Sequence, residues 1–327
     1  MRRTAILGTG AYAPEKVLTN ADLEKMVETS DAWITERTGI KERRIAAPGE
    51  LTSDMAVKAA IRALEMARTR ADELDLIVMG TVSPDMPMPS SAVAVQAKLG
   101  AKKAFAFDVS AACAGSLYGM SIADQYIRTG GARRVLVIGA ELLSRVVDWT
   151  DRNTCVLFGD AAGAMVLGPS EDPDRGILGI HLHSDGNAAG ILTIPGGGSQ
   201  YPQSEEVLEK KLNKVAMNGR EVYKYAVRAL PEAVIEALGA QGLAPGDVTH
   251  LIGHQANIRI IESVCDRLGL PIEKCWVNIQ RYGNTSSASL PITFDEANRA
   301  GRLRQGDIIA MMAIGAGMAW GAGVVRW

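Results

Sequence analysis

The sequence predicts an α/β fold built from two similar halves, each with a mostly parallel sheet. Short apolar runs that end at glycine alternate with longer segments of helical periodicity, and similar segments recur in the same order later in the chain. Apolar runs of this kind are typical of strands buried on both faces, as in parallel sheets covered by helices. The 327 residues suffice for two ordinary domains or for one large duplicated unit.

The elements of the first half follow one another closely. The pattern predicts strands at 74–79, Phe105–Val109 and 135–138, and helices at Ser91–Leu99 and about 112–128. The last of these helices has small or apolar residues on nearly every side, which indicates burial between two layers. The segment 194–215 breaks the alternation with a proline and three glycines, so we predict a surface excursion near the substrate entrance.

The second half repeats the first at a nearly constant offset. Gly80 and Gly253 end similar apolar runs, and 253 − 80 is 173. Three further pairs follow at offsets of 169, 171 and 176, namely Leu99-Gly100 with Leu268-Gly269, 123–130 with 294–301, and 137–140 with 313–316. Four matches in the same order indicate a duplication. We therefore predict an N-terminal half at 1–170 and a C-terminal half at 171–327, whose helices share a central layer.

The composition argues against several classes of function. It is 47% hydrophobic and 22% charged, as in an ordinary globular protein, and the net charge of −2 gives no reason to expect nucleic acid or an anionic membrane as a partner. The four cysteines form no CxxC pair, and His181 and His183 have no clear third ligand, so we expect neither a disulfide framework nor a metal site. Without a signal peptide or a long apolar run, a cytoplasmic protein is expected.

Cys113 is the strongest candidate for a nucleophile. It follows the strand Phe105–Val109 through a turn of small residues and stands where a helix begins. The unpaired N–H groups and the dipole of a helix N-terminus favour the thiolate, which is the reactive form. The alternative is a buried apolar filler, which is the usual role of a cysteine among alanines.

Two other positions could support such a nucleophile. His254 follows the predicted strand that ends at Gly253, and Asn284 lies in a second turn that enters a helix. Carboxyl ends of strands are where α/β sheets bind their ligands. By the offset of 171, Asn284 falls opposite Cys113 in the repeat, which favours one shared site. The alternatives are a surface histidine and an ordinary N-cap.

Several motifs together resemble the β-ketoacyl-acyl-carrier-protein synthase III family of condensing enzymes, over essentially the whole chain. The motifs are Asn20-Ala21-Asp22-Leu23, Thr29 to Ile34, Arg37-Thr38-Gly39-Ile40, Ala111 to Gly115, Phe158-Gly159-Asp160, His254 to Asn257 and Gly283 to Ser286. The resemblance implies a thiolase-like fold, with two duplicated βαβαβαββ halves packed as five layers, α-β-α-β-α. It also implies that an acyl-CoA primer is condensed with malonyl-acyl carrier protein to initiate fatty acid synthesis, with no cofactor or metal, in a homodimer.

The resemblance also assigns residues. Cys113 would hold the acyl group, and His254 and Asn284 would donate hydrogen bonds to the malonyl thioester oxygen. The N–H groups of Cys113 and Ala316 would form an oxyanion hole, and Asn257 would orient His254 or a water. The remaining assignments are CoA contacts (Trp33, Arg37, Arg152), carrier-protein contacts (Arg259, Lys224) and an acyl pocket (Met88, Leu157, Phe158, Met217).

Three positions depart from the family pattern. Ala316 stands within a frequent Gly-Gly-Gly run, Tyr282 replaces a frequent histidine, and Met88 replaces a frequent phenylalanine, so the primer is not fixed by the sequence. Within the same fold, the alternatives are a starter-unit ketosynthase or a cysteine-dependent acyltransferase of secondary metabolism. A cysteine hydrolase is an alternative of another class, because Cys, His and Asn also serve proteases. An inactive binding protein is a further one.

Overall fold

The computed structural model describes residues 3–327. Its strands are β1 (Thr4–Tyr12), β2 (Lys16–Thr19), β3 (Glu42–Ile45), β4 (Leu76–Gly80), β5 (Phe105–Val109), β6 (Val135–Glu141), β7 (Ala161–Pro169), β8 (Gly176–Ser184), β9 (Leu192–Thr193), β10 (Ala216–Met217), β11 (His250–Gly253), β12 (Ile308–Gly315) and β13 (Ala319–Arg326). Its α-helices are α1 (Asn20–Leu23), α2 (Asp31–Thr38), α3 (Thr52–Ala67), α4 (Ser91–Leu99), α5 (Gly115–Arg128), α6 (Arg152–Cys155), α7 (Glu205–Glu209), α8 (Gly219–Gly239), α9 (Ile258–Leu268), α10 (Ile279–Tyr282) and α11 (Ser289–Arg299). The predicted strands and helices of the first half are confirmed, two of them with the predicted boundaries and the others with boundaries that shift by one to three residues.

Two large sheets have the same strand order. The first sheet runs β1-β7-β6-β4-β5, with β4 parallel to both β5 and β6 and the other pairs antiparallel. The second runs β8-β13-β12-β11, with β11 parallel to β12. The place that β5 has in the first sheet is taken in the second by a single bridge between Leu251 and Cys275. The duplication predicted from the sequence is therefore visible in the topology, and its third strand is reduced in the second half.

The helices form three layers around these sheets. α3 and α4 pack on the outer face of the first sheet, and α8 packs on β12 and β13 of the second. α9 packs on α8, and its buried side chains share a core cluster with Leu251 of β11. α5 and α11 lie between the sheets, and each contacts strands of both. Leu117 and Met120 of α5 and Phe294 of α11 are fully buried in this central layer. The predicted five-layer arrangement is confirmed, and it directs the N-terminal ends of two central helices toward one region.

The predicted excursion at 194–215 lies between β9 and β10. These two short strands pair with each other, Met217 opposite Leu192, so they close the base of the excursion. The segment between them contains the short helix α7. The base of the excursion, and not its tip, thereby lies next to the site described below.

Candidate functional site

One cavity of about 830 Å³ is lined by residues from both halves. Cys113, His254 and Asn284 all line it, although they are separated by 141 and 171 positions in the sequence. Cys113 precedes α5, His254 follows β11, and Asn284 precedes the turn that enters α11. The two central helices and one strand end therefore bring the three candidate residues together.

Cys113 sits in a tight turn, Ala112–Ala114, that continues directly into α5. Ala112 has the left-handed backbone angle φ of +45°, which turns the chain from β5 into the helix. A β-carbon at Gly315, at the end of β12, would overlap the backbone nitrogen of Cys113. Glycine at 315 thus allows the strand end to approach the nucleophile turn.

Two opposing effects act on the thiol of Cys113. Only 5% of the residue is exposed, and burial raises its pKa. The start of α5 directly after the turn favours the thiolate, as the sequence predicts. The predicted activation of Cys113 by the helix N-terminus stays a prediction.

His254 is neutral and held by a serine. Burial lowers the pKa of its imidazole to about 3. Its backbone N–H donates to Met312 O of β12 (2.8 Å), and its ring Nδ1 lies 2.5 Å from the hydroxyl oxygen of Ser289, the first residue of α11. The sequence analysis did not identify Ser289, and a serine one turn after an Asn-Thr-Ser motif gives no signal beyond helix capping.

Asn284 is oriented by its own turn. Its Oδ1 accepts a hydrogen bond from the N–H of Ser286 (2.8 Å), and its backbone N–H and C=O pair with Leu157 and Gly159. With the amide oxygen engaged, the Nδ2 group is the donor that the side chain can offer to the cavity.

The repeat relates Cys113 to Ser287 and not to Asn284. Ser286 has a φ of +48°, as Ala112 has +45°, and each begins a tight turn followed by a central helix. The residue after each left-handed position is Cys113 in one half and Ser287 in the other, and 287 − 113 is 174. The equivalence inferred from the offset of 171 is therefore wrong, because α11 has 11 residues and α5 has 14, so that the offset of 171 at the helix ends becomes 174 at the turn.

Glu141 is a buried acid beside these turns that the sequence analysis missed. It ends β6 and has no exposed surface. The hydroxyls of Ser83, Ser286 and Ser287 donate to its carboxylate, and burial raises its pKa. A glutamate at the carboxyl end of an otherwise apolar strand is the signal that could have identified it.

The mouth of the cavity is basic and aromatic. The Trp33 ring lies between two guanidinium groups, 5.8 Å from that of Arg37 and 5.0 Å from that of Arg152. Trp33, Arg37 and Arg259 line the cavity, and the guanidinium of Arg259 lies 5.8 Å from the Tyr223 ring. Such a surface suits a ligand with an aromatic base and phosphates.

Comparisons with known proteins agree over the whole chain. The family described as 3-oxoacyl-[acyl-carrier-protein (ACP)] synthase III matches residues 107–186, and its C-terminal part matches residues 238–327. A β-ketoacyl-[acyl-carrier-protein] synthase III from Caldanaerobacter subterraneus is 54% identical over 98% of this chain and 97% of its own. The chain belongs to the β-ketoacyl-[acyl-carrier-protein] synthase III family.

Solved structures give the same result. The crystal structure of 3-oxoacyl-[acyl-carrier-protein] synthase III from Aquifex aeolicus VF5 is 48% identical, covers 99% of this chain and 100% of its own, and has a TM-score of 0.92. The priming β-ketosynthase of the R1128 polyketide pathway is 37% identical, with coverages of 99% and 96% and a TM-score of 0.91. The predicted thiolase-like fold and the predicted class, a condensing acyltransferase, are confirmed.

Some predicted residues of this synthase III lie away from the cavity. Leu157, Phe158 and Met217 line it, whereas Met88 is 84% exposed on the surface of the chain. The ammonium of Lys224 pairs with Glu221 (2.7 Å) outside the cavity lining. At the end of β12, Gly315 contributes to the lining, and Ala316 follows it.

Asn257 has structural partners at the mouth of the cavity. Its Oδ1 caps α9 by accepting from the N–H of Arg259 (2.9 Å), and its Nδ2 donates to the carbonyl of Arg37 (2.9 Å). The described partner of the His254 ring is Ser289. Asn257 thus joins the backbone of Arg37 to that of Arg259, and its predicted role toward His254 or a water stays a prediction.

None of the helices in residues 3–327 is long and apolar enough to cross a membrane. The same residues contain no cluster of three His, Cys, Asp or Glu side chains suited to a metal ion.

Proposed function

We propose that this synthase III transfers an acyl group from acyl-CoA to Cys113 and condenses it with malonyl-acyl carrier protein, with loss of carbon dioxide. The main support is that Cys113, His254 and Asn284 line one cavity whose mouth holds Trp33 between two arginines. The likeness to relatives named for this reaction over nearly the full chain supports the same assignment. Both substrates bring their own thioester, so the reaction needs no cofactor or metal.

The first half-reaction is acyl transfer to Cys113. The sulfur attacks the thioester carbon, and the N–H groups of Cys113 and Ala316 stabilise the negative oxygen. The close approach of Gly315 to the nitrogen of Cys113 supports this hole, since it places the next peptide of the chain beside the same turn.

The second half-reaction is decarboxylation and condensation. Asn284 Nδ2 and His254 Nε2 donate to the malonyl thioester oxygen as negative charge develops there, and the carbanion attacks the acyl group on Cys113. A neutral His254 can donate through Nε2 only in the tautomer whose Nδ1 carries no proton, so that Nδ1 accepts a hydrogen bond from the Ser289 hydroxyl. The pKa of about 3 supports a donor of this kind rather than a general base.

The mouth of the cavity binds the two carriers. Trp33 stacks on the CoA base, Arg37 and Arg152 pair with its phosphates, and Arg259, with Lys224 nearby on α8, receives the acidic carrier protein. Asn257 supports both functions, because its hydrogen bonds fix Arg37 and the first turn of α9 together.

The acyl chain occupies the part of the cavity lined by Leu157, Phe158 and Met217. Met88 can contribute only if it reaches the cavity of a second copy of the chain, since it is exposed in its own. Its flexible side chain would then admit primers longer than acetyl.

We also propose that the enzyme is a cytoplasmic homodimer of chains with halves at 1–170 and 171–327. β5 is an edge strand, and Phe105 on it is 46% exposed and lies 5.6 Å from the Tyr126 ring. An unpaired edge with aromatic side chains is a surface that proteins usually cover. Sedimentation at micromolar concentration tests the dimer, and a monomer would contradict it.

One experiment separates the proposed reaction from its alternatives. Incubation with acyl-CoA should add the acyl mass to Cys113, and subsequent malonyl-acyl carrier protein should release carbon dioxide and a β-ketoacyl product. Acylation without carbon dioxide release would instead support an acyltransferase, and release of free acid would support a hydrolase. The second candidate function is that of a priming ketosynthase of secondary metabolism, which the likeness to the R1128 enzyme supports. A preference for another carrier protein would reveal it.

A further inference from the structure

Arg43 on β3 is a fully buried residue that binds three separate segments of the chain. Its Nη1 donates to Leu18 O (3.0 Å) and to Asn20 Oδ1 (2.9 Å). Its Nη2 donates to Asn20 Oδ1 (2.9 Å) and to Val156 O (2.8 Å). Each of these nitrogens carries two hydrogens, so both are fully used and the plane of the guanidinium is fixed.

On one side, Arg43 holds helix α2 through the buried side chain of Asn20. The Nδ2 group of Asn20 donates to Asp31 Oδ1 and to Ile40 O, both at 2.8 Å. Asp31 is the first residue of α2, and Ile40 lies two residues after its end. Asn20 thus binds α2 close to both ends, so the place of Trp33 in that helix depends on the bonds between Asn20 and Arg43.

On the other side, Arg43 holds the end of α6. Val156, whose carbonyl accepts from Nη2, is the residue that follows this helix, and it lines the cavity. Arg152 is the first residue of α6, and its guanidinium lies 5.0 Å from the centre of the Trp33 ring and donates to Glu28 O (3.0 Å). This part of the mouth is therefore formed where α2 and α6 meet, and Arg43 is bound to both.

Apolar packing between these two helices does not by itself fix their spacing. Ile34 of α2 and Cys155 of α6 belong to one buried cluster with Val156. Such contacts have no preferred direction, whereas hydrogen bonds weaken steeply when they are misaligned. Apolar side chains in place of buried ionic groups are often at least as stable, so stability alone gives no reason for an arginine at this position.

We propose that Arg43 is a positioning residue for CoA, which sets the spacing between Trp33 on α2 and Arg152 on α6. The inference rests on the proposed function, in which Trp33 stacks on the CoA base and Arg152 pairs with its phosphates. These two side chains hold one nucleotide from two different helices, so their spacing decides how well both can bind it at once. Arg43 itself lies outside the cavity lining, and the acyl transfer does not use it directly.

The test compares acetyl-CoA with the acetyl thioester of N-acetylcysteamine, a donor that lacks the nucleotide. The rate of Cys113 acylation is followed by intact mass over a range of concentrations of each donor. Arg43→Lys keeps the charge, but its single nitrogen cannot bridge Asn20 and Val156 as the guanidinium does. The half-saturating concentration of acetyl-CoA should rise about tenfold in this variant, because the cation–π and phosphate contacts weaken. The maximal rate, and the rate with the small thioester, should stay within about twofold of wild type.

Two further variants make the result specific. Asn20→Asp can still bind Arg43, but it sets a carboxylate oxygen against Asp31 in place of an amide donor, so it should raise the half-saturating concentration of acetyl-CoA as well. Arg44→Lys is the same substitution at the next residue of β3, where the described partner is Glu42 at 3.3 Å, and it should leave the rates with both donors unchanged. Thermal unfolding shows which variants fold, and Asn20→Asp decides the result if Arg43→Lys does not.

The comparison of donors separates a defined spacing at the mouth from a general loosening of the fold. Equal losses with both donors would indicate loosening and would overturn the proposal. A half-saturating concentration of acetyl-CoA that stays at the wild-type value in the folded variants Arg43→Lys and Asn20→Asp would overturn it as well. Failure of the wild type to accept an acetyl group on Cys113 from either donor would count against the proposed function instead.

Discussion

Asn284→Ala should block condensation while leaving acylation of Cys113 largely intact. The Oδ1 of the amide accepts a hydrogen bond from the Ser286 N–H at 2.8 Å, which leaves Nδ2 as the donor available to the cavity that Asn284 lines. Loss of an oxyanion donor typically removes about 2.7–4 kcal/mol of transition-state stabilisation, or about 10²- to 10³-fold in rate. Loss of the bond to Ser286 adds about 1 kcal/mol of destabilisation to the fold.

The two half-reactions can be measured separately on the same sample. Intact mass gives the rate of acylation from acyl-CoA, and released carbon dioxide gives the rate of condensation after malonyl-acyl carrier protein is added. Acylation serves as the internal control for folding, because it needs the turn at Cys113 but no donor from Asn284. Unchanged condensation, or equal losses in both half-reactions, would refute the assigned role.

Three other changes have expected outcomes. Gly315→Ala should lower the free energy of unfolding by about 1–3 kcal/mol and slow the acylation of Cys113, because the new β-carbon meets the backbone of Cys113. The control is Gly186→Ala, whose β-carbon enters open space, so that neither thermal unfolding nor adduct formation should change. The free energy of unfolding should fall as the pH decreases from 6.5 toward 3, by up to about 1.4 kcal/mol per pH unit, because the unfolded chain binds a proton at His254 that the folded site excludes. In the variant His254→Gln this dependence of stability on pH should be weaker. Met88→Phe should reduce kcat/KM for butyryl- and isobutyryl-CoA relative to acetyl-CoA by about 10- to 200-fold, and an unchanged ratio would remove Met88 from the acyl pocket.

Much of the fold could be predicted because the residue pattern of each strand and helix agrees with its place in the sheets and helix layers. The strand Phe105–Val109 and the helix Ser91–Leu99 were predicted with the boundaries that the structure shows, since glycine or turns of small residues limit both. The repeat was recognised partly from glycines that the structure requires: Gly100 and Gly269 each end a helix in a backbone conformation with a positive φ. The loss of the third strand near Cys275 could not be predicted, because strand pairing depends on neighbours distant in sequence.

The site was harder to predict where it depends on burial. A thiol at a helix N-terminus suggests a low pKa, but the burial of Cys113, which acts on its pKa in the opposite direction, is a property of the folded chain. Glu141 and Ser289 were missed because their importance comes from contacts with Ser286 and His254, 145 and 35 positions away. Constant offset also failed at Asn284, since α11 is three residues shorter than α5 and the offset measured at the helix ends does not hold at the turn before them.

The reduced third strand of the second half has a consequence for assembly. Each chain presents the β5 edge, while the matching edge of the other sheet ends in one bridge at Cys275. If both sheets had kept equal edges, a chain could pair at two places and grow into an open filament of stacked sheets. In the proposed homodimer, pairing about a two-fold axis would use β5 of both copies, and the shortened counterpart in the second sheet would offer no second strand for growth. Degeneration of the repeat would then limit the assembly to two chains.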